Sequence, residues 1–241
     1  MGANSSVSFP PGIGLQDIKG CGTSGMVALD PITKYIIKFP LGDDDECARC
    51  DKEREIYQLL ESSPREWPLS LLKFHGTTSH GILLDYAEIG PVRQFLRESQ
   101  DSIPPSTLLR WARQAAEALQ FLHENGICHG DVNCSNFFLD QHLNLKVGDF
   151  TSSLVGSLAT PQHFQADILN YGCALYEMAT GYLPYHTLCE DKREQKLKQG
   201  KFPDLTTVGL RSLILQCWDA GYTTLADVMK DIDTACTNPI P

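Results

Sequence analysis

The hydrophobic period changes part-way along this chain, and that change limits what the chain can fold into. The stretch "IGLQDIKGCGTSGMVALDPITKYIIKFP" alternates apolar and polar residues and is rich in glycine. It predicts three antiparallel strands with a glycine loop between the first two. "DDDECARCDKEREIYQLLESS" reads as a helix, opened by Asp43 to Glu46 where the helix dipole favours negative charge. Two more strands follow, "LLKFHG" and "GILLDYA". From there on the period is helical. "STLLRWARQAAEALQFLHENG" offers Ser106 as a cap, puts Leu108, Ala112, Ala115, Leu119 and Leu122 on one face, and stops at Gly126. "ADILNYGCALYEMATG", "SLILQCW" and "LADVMKDIDTA" read as further helices.

Strands first and helices later predict an α+β fold of two lobes. The smaller lobe is an antiparallel sheet with one helix, and the larger is helical. The hinge is expected between Leu84 and Gly90. The expected divisions are a flexible leader over 1–13, a small lobe over about 14–86, a large lobe over about 87–236 and a tail over 237–241.

With 241 residues, 42% of them hydrophobic, the chain can bury a core of this size. No apolar run approaches the roughly 20 residues that span a bilayer. "MGANSSVSFPPG" lacks the basic start and apolar centre of a secretory signal, so an intracellular, cytoplasmic setting is expected. The nine cysteines are then reduced thiols, and the sequons at Asn4 and Asn133 are chance matches. A formal net charge of −10 argues against nucleic acid as a partner. "MGANSS" fits the myristoylation pattern, with Gly2 as acceptor, but one acyl chain without a basic patch anchors only marginally.

Four stretches could carry chemistry. In "GCGTSGMV", Gly20, Gly22 and Gly25 are spaced G-x-G-x-x-G with Val27 two positions on. Such glycines let backbone N–H groups approach phosphate oxygens, although any glycine-rich hairpin could match. Lys38 lies toward the end of an apolar strand, where a charge needs a partner, and Glu53 on the next helix is a candidate. In "HGDVNCSN", Asp131 could steer a hydroxyl proton. Asn136, five positions later, and Asp149 in "GDF" offer oxygen to magnesium. Cys47-x-x-Cys50 has no second pair at zinc spacing and reads as two helix thiols, and His129 reads as a packing residue of its loop.

In this order and at these spacings, the residues resemble a eukaryotic protein kinase domain over roughly 14–236. "HGDVNCSNFFLDQHLNLKVGDF" is especially similar to small, divergent fungal serine/threonine protein kinases. The resemblance implies ATP and Mg2+ as cofactors and a protein substrate as partner. It gives Gly20, Gly22, Gly25 and Val27 to the nucleotide-binding loop, and Lys38 and Glu53 to the phosphate-holding pair. It gives Asp131 to catalysis and Asn136 and Asp149 to the metal. Leu84 stands at the gatekeeper, Asp85 and Ala87 where backbone groups meet adenine, and Asp167 where the catalytic loop is anchored.

Four departures accompany the likeness. Gly130 replaces the arginine of H-R-D, so control through a phosphate on the activation loop is not expected. Asn133 stands where a lysine is usual, and loss of a comparable charge stabiliser costs about 2.7–4 kcal/mol of barrier. Thr151 replaces the glycine of D-F-G. Asp149 and Asp167 are only eighteen residues apart with no A-P-E between them, so a peptide platform is short. These features keep two other functions in view. One is a pseudokinase that binds nucleotide or acts as a scaffold. The other is a small-molecule phosphotransferase, which also carries H-G-D with an asparagine five later.

Overall fold

The computed structural model describes residues 9–22, 24–99 and 103–237. A five-stranded antiparallel sheet comes first. It is built from β1 (Ile18–Gly22), β2 (Gly25–Leu29), β3 (Ile36–Phe39), β4 (Phe74–Thr77) and β5 (Ile82–Leu84), in the order β1-β2-β3-β5-β4. The turn after Gly22 sets the register Gly22↔Gly25 and Val27↔Lys38. Gly25 has φ +114, and a Cβ there would run into the Phe39 carbonyl, so glycine is required where β2 crosses the end of β3.

Helix α1 (Asp44–Glu61) covers one face of the sheet. Asp43 caps it by accepting from the N–H groups of Asp45 and Glu46, at 2.9 and 3.2 Å. Cys50, Glu53, Ile56, Tyr57 and Leu60 form its buried face. The opposite face of the sheet buries Ala28, Ile37 and Phe39, on which Phe9 and Ile13 pack. The end of the expected leader is therefore docked, because the sheet's outer apolar face needs a cover. Gly2, Asn4, Ser6 and most of the expected tail lie outside the described residues.

The larger lobe begins with β6 (Gly90–Pro91) and α2 (Val92–Glu98). Its central element is α3 (Pro105–Glu124), whose residues Leu108, Ala112, Ala115, Leu119 and Leu122 are all buried. Ser106 does not cap α3. The N-cap is Pro104, no side chain accepts there, and Pro105 occupies the first turn, where its missing N–H costs nothing. Short strands follow: β7 (Ile127–Cys128), β8 (Phe137–Leu139), β9 (Leu145–Val147) and β10 (Leu154–Val155). They form a three-stranded sheet β6-β8-β9 and a pair β7-β10. Helices α4 (Pro161–Thr180), α5 (Glu190–Lys198), α6 (Arg211–Trp218) and α7 (Leu225–Thr237) complete the lobe.

Helix α4 starts five residues before the expected Ala166, because Thr160 and Pro161 open it. Strand β4 starts later than "LLKFHG" suggested. Leu71 forms only an isolated parallel bridge to Val147, and Leu72 N–H donates to the Val147 carbonyl. That stretch joins the lobes rather than extending the sheet. The result is the expected α+β architecture of a small antiparallel sheet lobe with one helix above a larger helical lobe. No helix among the described residues is long and apolar enough to cross a membrane.

Candidate active site

A cleft of about 390 Å³ lies between the sheet and the large lobe. Gly20, Gly22, Gly25 and Val27 line its roof, Lys38, Glu53 and Asp149 its back, and Leu84, Asp85 and Ala87 the edge where the lobes join. A Cβ at Gly20 or Gly22 would meet nothing within 4 Å, so these glycines face open space a phosphate could fill. Asp85 N–H is already used by the Lys73 carbonyl, and the Ala87 carbonyl by Gly90 N–H. The edge therefore offers the Asp85 carbonyl and the Ala87 N–H, an acceptor and then a donor.

The buried Lys38 ammonium lies 2.7 Å from Glu53 Oε2 and 3.2 Å from Asp149 Oδ1. Burial alone would favour the neutral amine, but the two carboxylates hold the Lys38 pKa above the ordinary lysine value. Asp149 lies in the left-handed region at φ +64, which directs its carboxyl to Lys38. Thr151 Oγ1 donates to Asp149 Oδ1 at 2.8 Å. Burial raises the Asp149 carboxyl, while Lys38 and the Thr151 hydroxyl outweigh it and bring the pKa below the usual range.

Glu53 also accepts from Phe150 N–H at 3.3 Å, which ties α1 to the segment after β9. The Phe150 ring packs on Tyr57 of α1 at 4.9 Å and on His129 at 5.6 Å. His129 is fully buried, with Nε2 3.2 Å from the Gly148 carbonyl, so it stands away from solvent in this packed column.

Asp131 lies on the loop between β7 and β8 and is held by two amides. Asn133 Nδ2 donates to its Oδ1 and Asn136 Nδ2 to its Oδ2, both at 2.9 Å. Asn136 Nδ2 also donates to the Asp131 carbonyl at 2.8 Å, which leaves Asn136 Oδ1 as its acceptor for other partners. Asp167 on α4 pins the start of this loop. It accepts from His129 and Gly130 N–H at 2.7 and 2.9 Å and faces His123 Nε2 at 2.9 Å. Burial pushes the Asp167 carboxyl up, and these hydrogen bonds bring it below the usual range.

Gly130 has φ +77, and a Cβ there would sit 2.5 Å from the Ser152 carbonyl oxygen. The segment after Asp149 thus runs against the loop, held by Ser153 Oγ donating to the His129 carbonyl at 2.9 Å. Among the described residues no cluster of three or more His, Cys, Asp or Glu could hold a metal, Cys47 and Cys50 included.

A profile of the protein tyrosine and serine/threonine kinase family matches residues 68–158. Serine/threonine-protein kinase STY17 of Arabidopsis thaliana is 28% identical over 57% of this chain. Serine/threonine-protein kinase A-Raf of Homo sapiens is 27% identical over 66%, and the RAF proto-oncogene serine/threonine-protein kinase of Xenopus laevis is 30% identical over 52%. The chain carries a eukaryotic protein kinase domain. The three alignments take in 28%, 32% and 23% of those relatives' own lengths.

Within the kinase domain, sequence reasoning passed over one buried carboxylate and the half-buried cation it pairs with. Arg93 on α2 makes a bidentate pair with Glu177 on α4, with Nε–Oε1 at 2.6 Å and Nη2–Oε2 at 2.9 Å. One signal was available: Glu177 sits in the apolar run "CALYEM", where a carboxylate needs a cation. Which cation could not be read, because Arg93 is 84 positions away.

Proposed function

We propose that this domain transfers the γ-phosphoryl group of ATP to a serine or threonine hydroxyl of a protein, with magnesium and with a shortened activation segment. The observation that carries this reading is the assembled back of the cleft, where Lys38 reaches both Glu53 and Asp149 beneath the glycine loop. The N–H groups of the loop at Gly20 and Gly22 and the Lys38 ammonium would hold phosphate oxygens, with Glu53 orienting Lys38. Val27 would cover the base, and the Asp85 carbonyl and Ala87 N–H match the donor and acceptor on its edge.

Asn136 Oδ1 and the Asp149 carboxylate would hold the cation. With so few protein oxygens, a hard cation here would take its other ligands from phosphate and water. When bound, magnesium supplies positive charge that offsets charge developing on the phosphates. Asp131 would orient the incoming hydroxyl and accept its proton as the new oxygen–phosphorus bond forms and the bond to ADP breaks. The unit proposed for this activity is 14–236, acting inside the cell. An acyl group on Gly2 would add only a marginal membrane contact.

One observation favours a second reading, a nucleotide-binding pseudokinase. Both Asp131 oxygens are engaged by asparagine amides, and Asn133 brings no positive charge where a lysine would stand. Phosphate transfer from labelled ATP with magnesium, to the chain itself and to a basic protein, separates the two. Transfer well above an Asp131→Ala control supports the kinase. Transfer at the control level, with ATP still raising the melting temperature, supports the pseudokinase.

A further inference from the structure

Glu177 is 3% exposed and Arg93 is its cation, but that pair uses only two of the guanidinium's nitrogens. The third, Nη1, donates to Ser135 Oγ at 2.6 Å. The Arg93 backbone N–H donates to the Cys134 carbonyl at 2.9 Å. One residue of α2 therefore grips two consecutive residues of the loop that carries Asp131 and Asn136, and is itself fixed to α4.

The loop's other end is fixed by the same helix, through Asp167 and the N–H groups of His129 and Gly130. Between these anchors the loop is held by its own short bonds, Ser135 N–H to Asn133 Oδ1 at 2.8 Å and Asn136 N–H to the Asn133 carbonyl at 3.0 Å. These bonds fix the loop's shape. They do not fix its height relative to the cleft, which requires a contact to a rigid element.

We propose that Arg93 is a positioning residue of the catalytic loop, carrying the anchorage of Glu177 to Cys134 and Ser135 and so setting where Asp131 and Asn136 stand beneath the cleft. Its effect on turnover rests on the kinase reading, while its effect on the loop does not. A pair that merely held α2 to α4 would need no bond to Ser135. Guanidinium geometry suits the role, because a planar fork can serve a carboxylate and a hydroxyl at once, whereas an ammonium cannot reproduce both directions.

The test uses the whole chain and two substitutions. Ser135→Ala removes the side-chain contact to the loop, keeps the Arg93 N–H bond to the Cys134 carbonyl and leaves the Arg93–Glu177 pair in place. Arg93→Lys keeps a cation beside Glu177 without the fork. Hydrogen exchange over residues 129–139 is compared with that of α3, together with kcat and KM for ATP. The proposal expects exchange at Ser135 and Asn136 to speed up about tenfold in Ser135→Ala, as for one charge-assisted hydrogen bond lost. The melting temperature and the exchange of α3 should hold. Turnover is expected to drop through kcat, with KM for ATP unchanged.

Wild-type exchange over the loop in Ser135→Ala overturns the proposal, and so does a loss of kcat with no change in exchange. If Arg93→Lys fails to fold, Ser135→Ala still decides. If the unsubstituted chain transfers no phosphate, the kinase reading fails, and the exchange data still decide the role of Arg93.

Discussion

Replacing Gly130 with alanine should destabilise the domain strongly, even though it adds only one methyl group beside Asp131. Two terms act together. At φ +77 a Cβ brings the penalty of the left-handed region, about 1–2 kcal/mol. The same Cβ would sit 2.5 Å from the Ser152 carbonyl oxygen and 3.1 Å from its carbon, so the segment after Asp149 must move. Moving it loosens the Ser153 Oγ bond to the His129 carbonyl, worth about 1 kcal/mol. The sum is about 2–3 kcal/mol, or roughly 4–12 °C in melting temperature for a chain of this length. Thermal and urea unfolding measure it, with Gly209→Ala as control, since a Cβ there meets only Leu108 Cδ1 at 3.9 Å. A Gly130→Ala melting temperature within about 1 °C of that control would refute the reasoning, because an effect that small excludes the backbone penalty. Gly130→Arg, which restores the arginine usual in H-R-D, carries the same two penalties and should destabilise rather than activate.

Three further outcomes are expected. Lys38→Met leaves Glu53 and Asp149 without their shared cation, which should cost about 3–5 kcal/mol in urea unfolding and remove the thermal shift given by ATP. Thr151→Val keeps the branched shape but deletes the hydroxyl donated to Asp149. KM for magnesium–ATP should rise about fivefold, the worth of one ordinary hydrogen bond. Asp149 and Asp167 both titrate below the ordinary value of 3.8. Their contribution to stability should be complete above that value and lost as pH falls through the lower folded values, which urea midpoints followed against pH would show.

Much of the fold was legible because the forces that set it are local. Asp43 could be read as the start of α1 because its carboxylate meets N–H groups two and three positions on. The glycines between β1 and β2 and the alternation of β2 and β3 were readable for the same reason. The pairing of Lys38 with Glu53 was legible too, since an ammonium on a buried strand must find a carboxylate and the next helix holds one. Local reading failed at α3, where Ser106 and Pro105 both signal a helix start and the proline took the first turn. It also failed at Leu71, whose bridge to Val147 crosses between lobes.

By itself the sequence determined the two-lobe α+β layout and the identity of the groups along the cleft, because hydrophobic period, capping and turn chemistry act within a few residues. Only the tertiary structure decided what those groups touch. It placed the Ser152 carbonyl against Gly130, seated Phe9 on Phe39, and joined Arg93 to Glu177 and Ser135. The longest of these contacts close loops of 42 to 84 residues, and their choice depends on which surfaces meet when the elements pack.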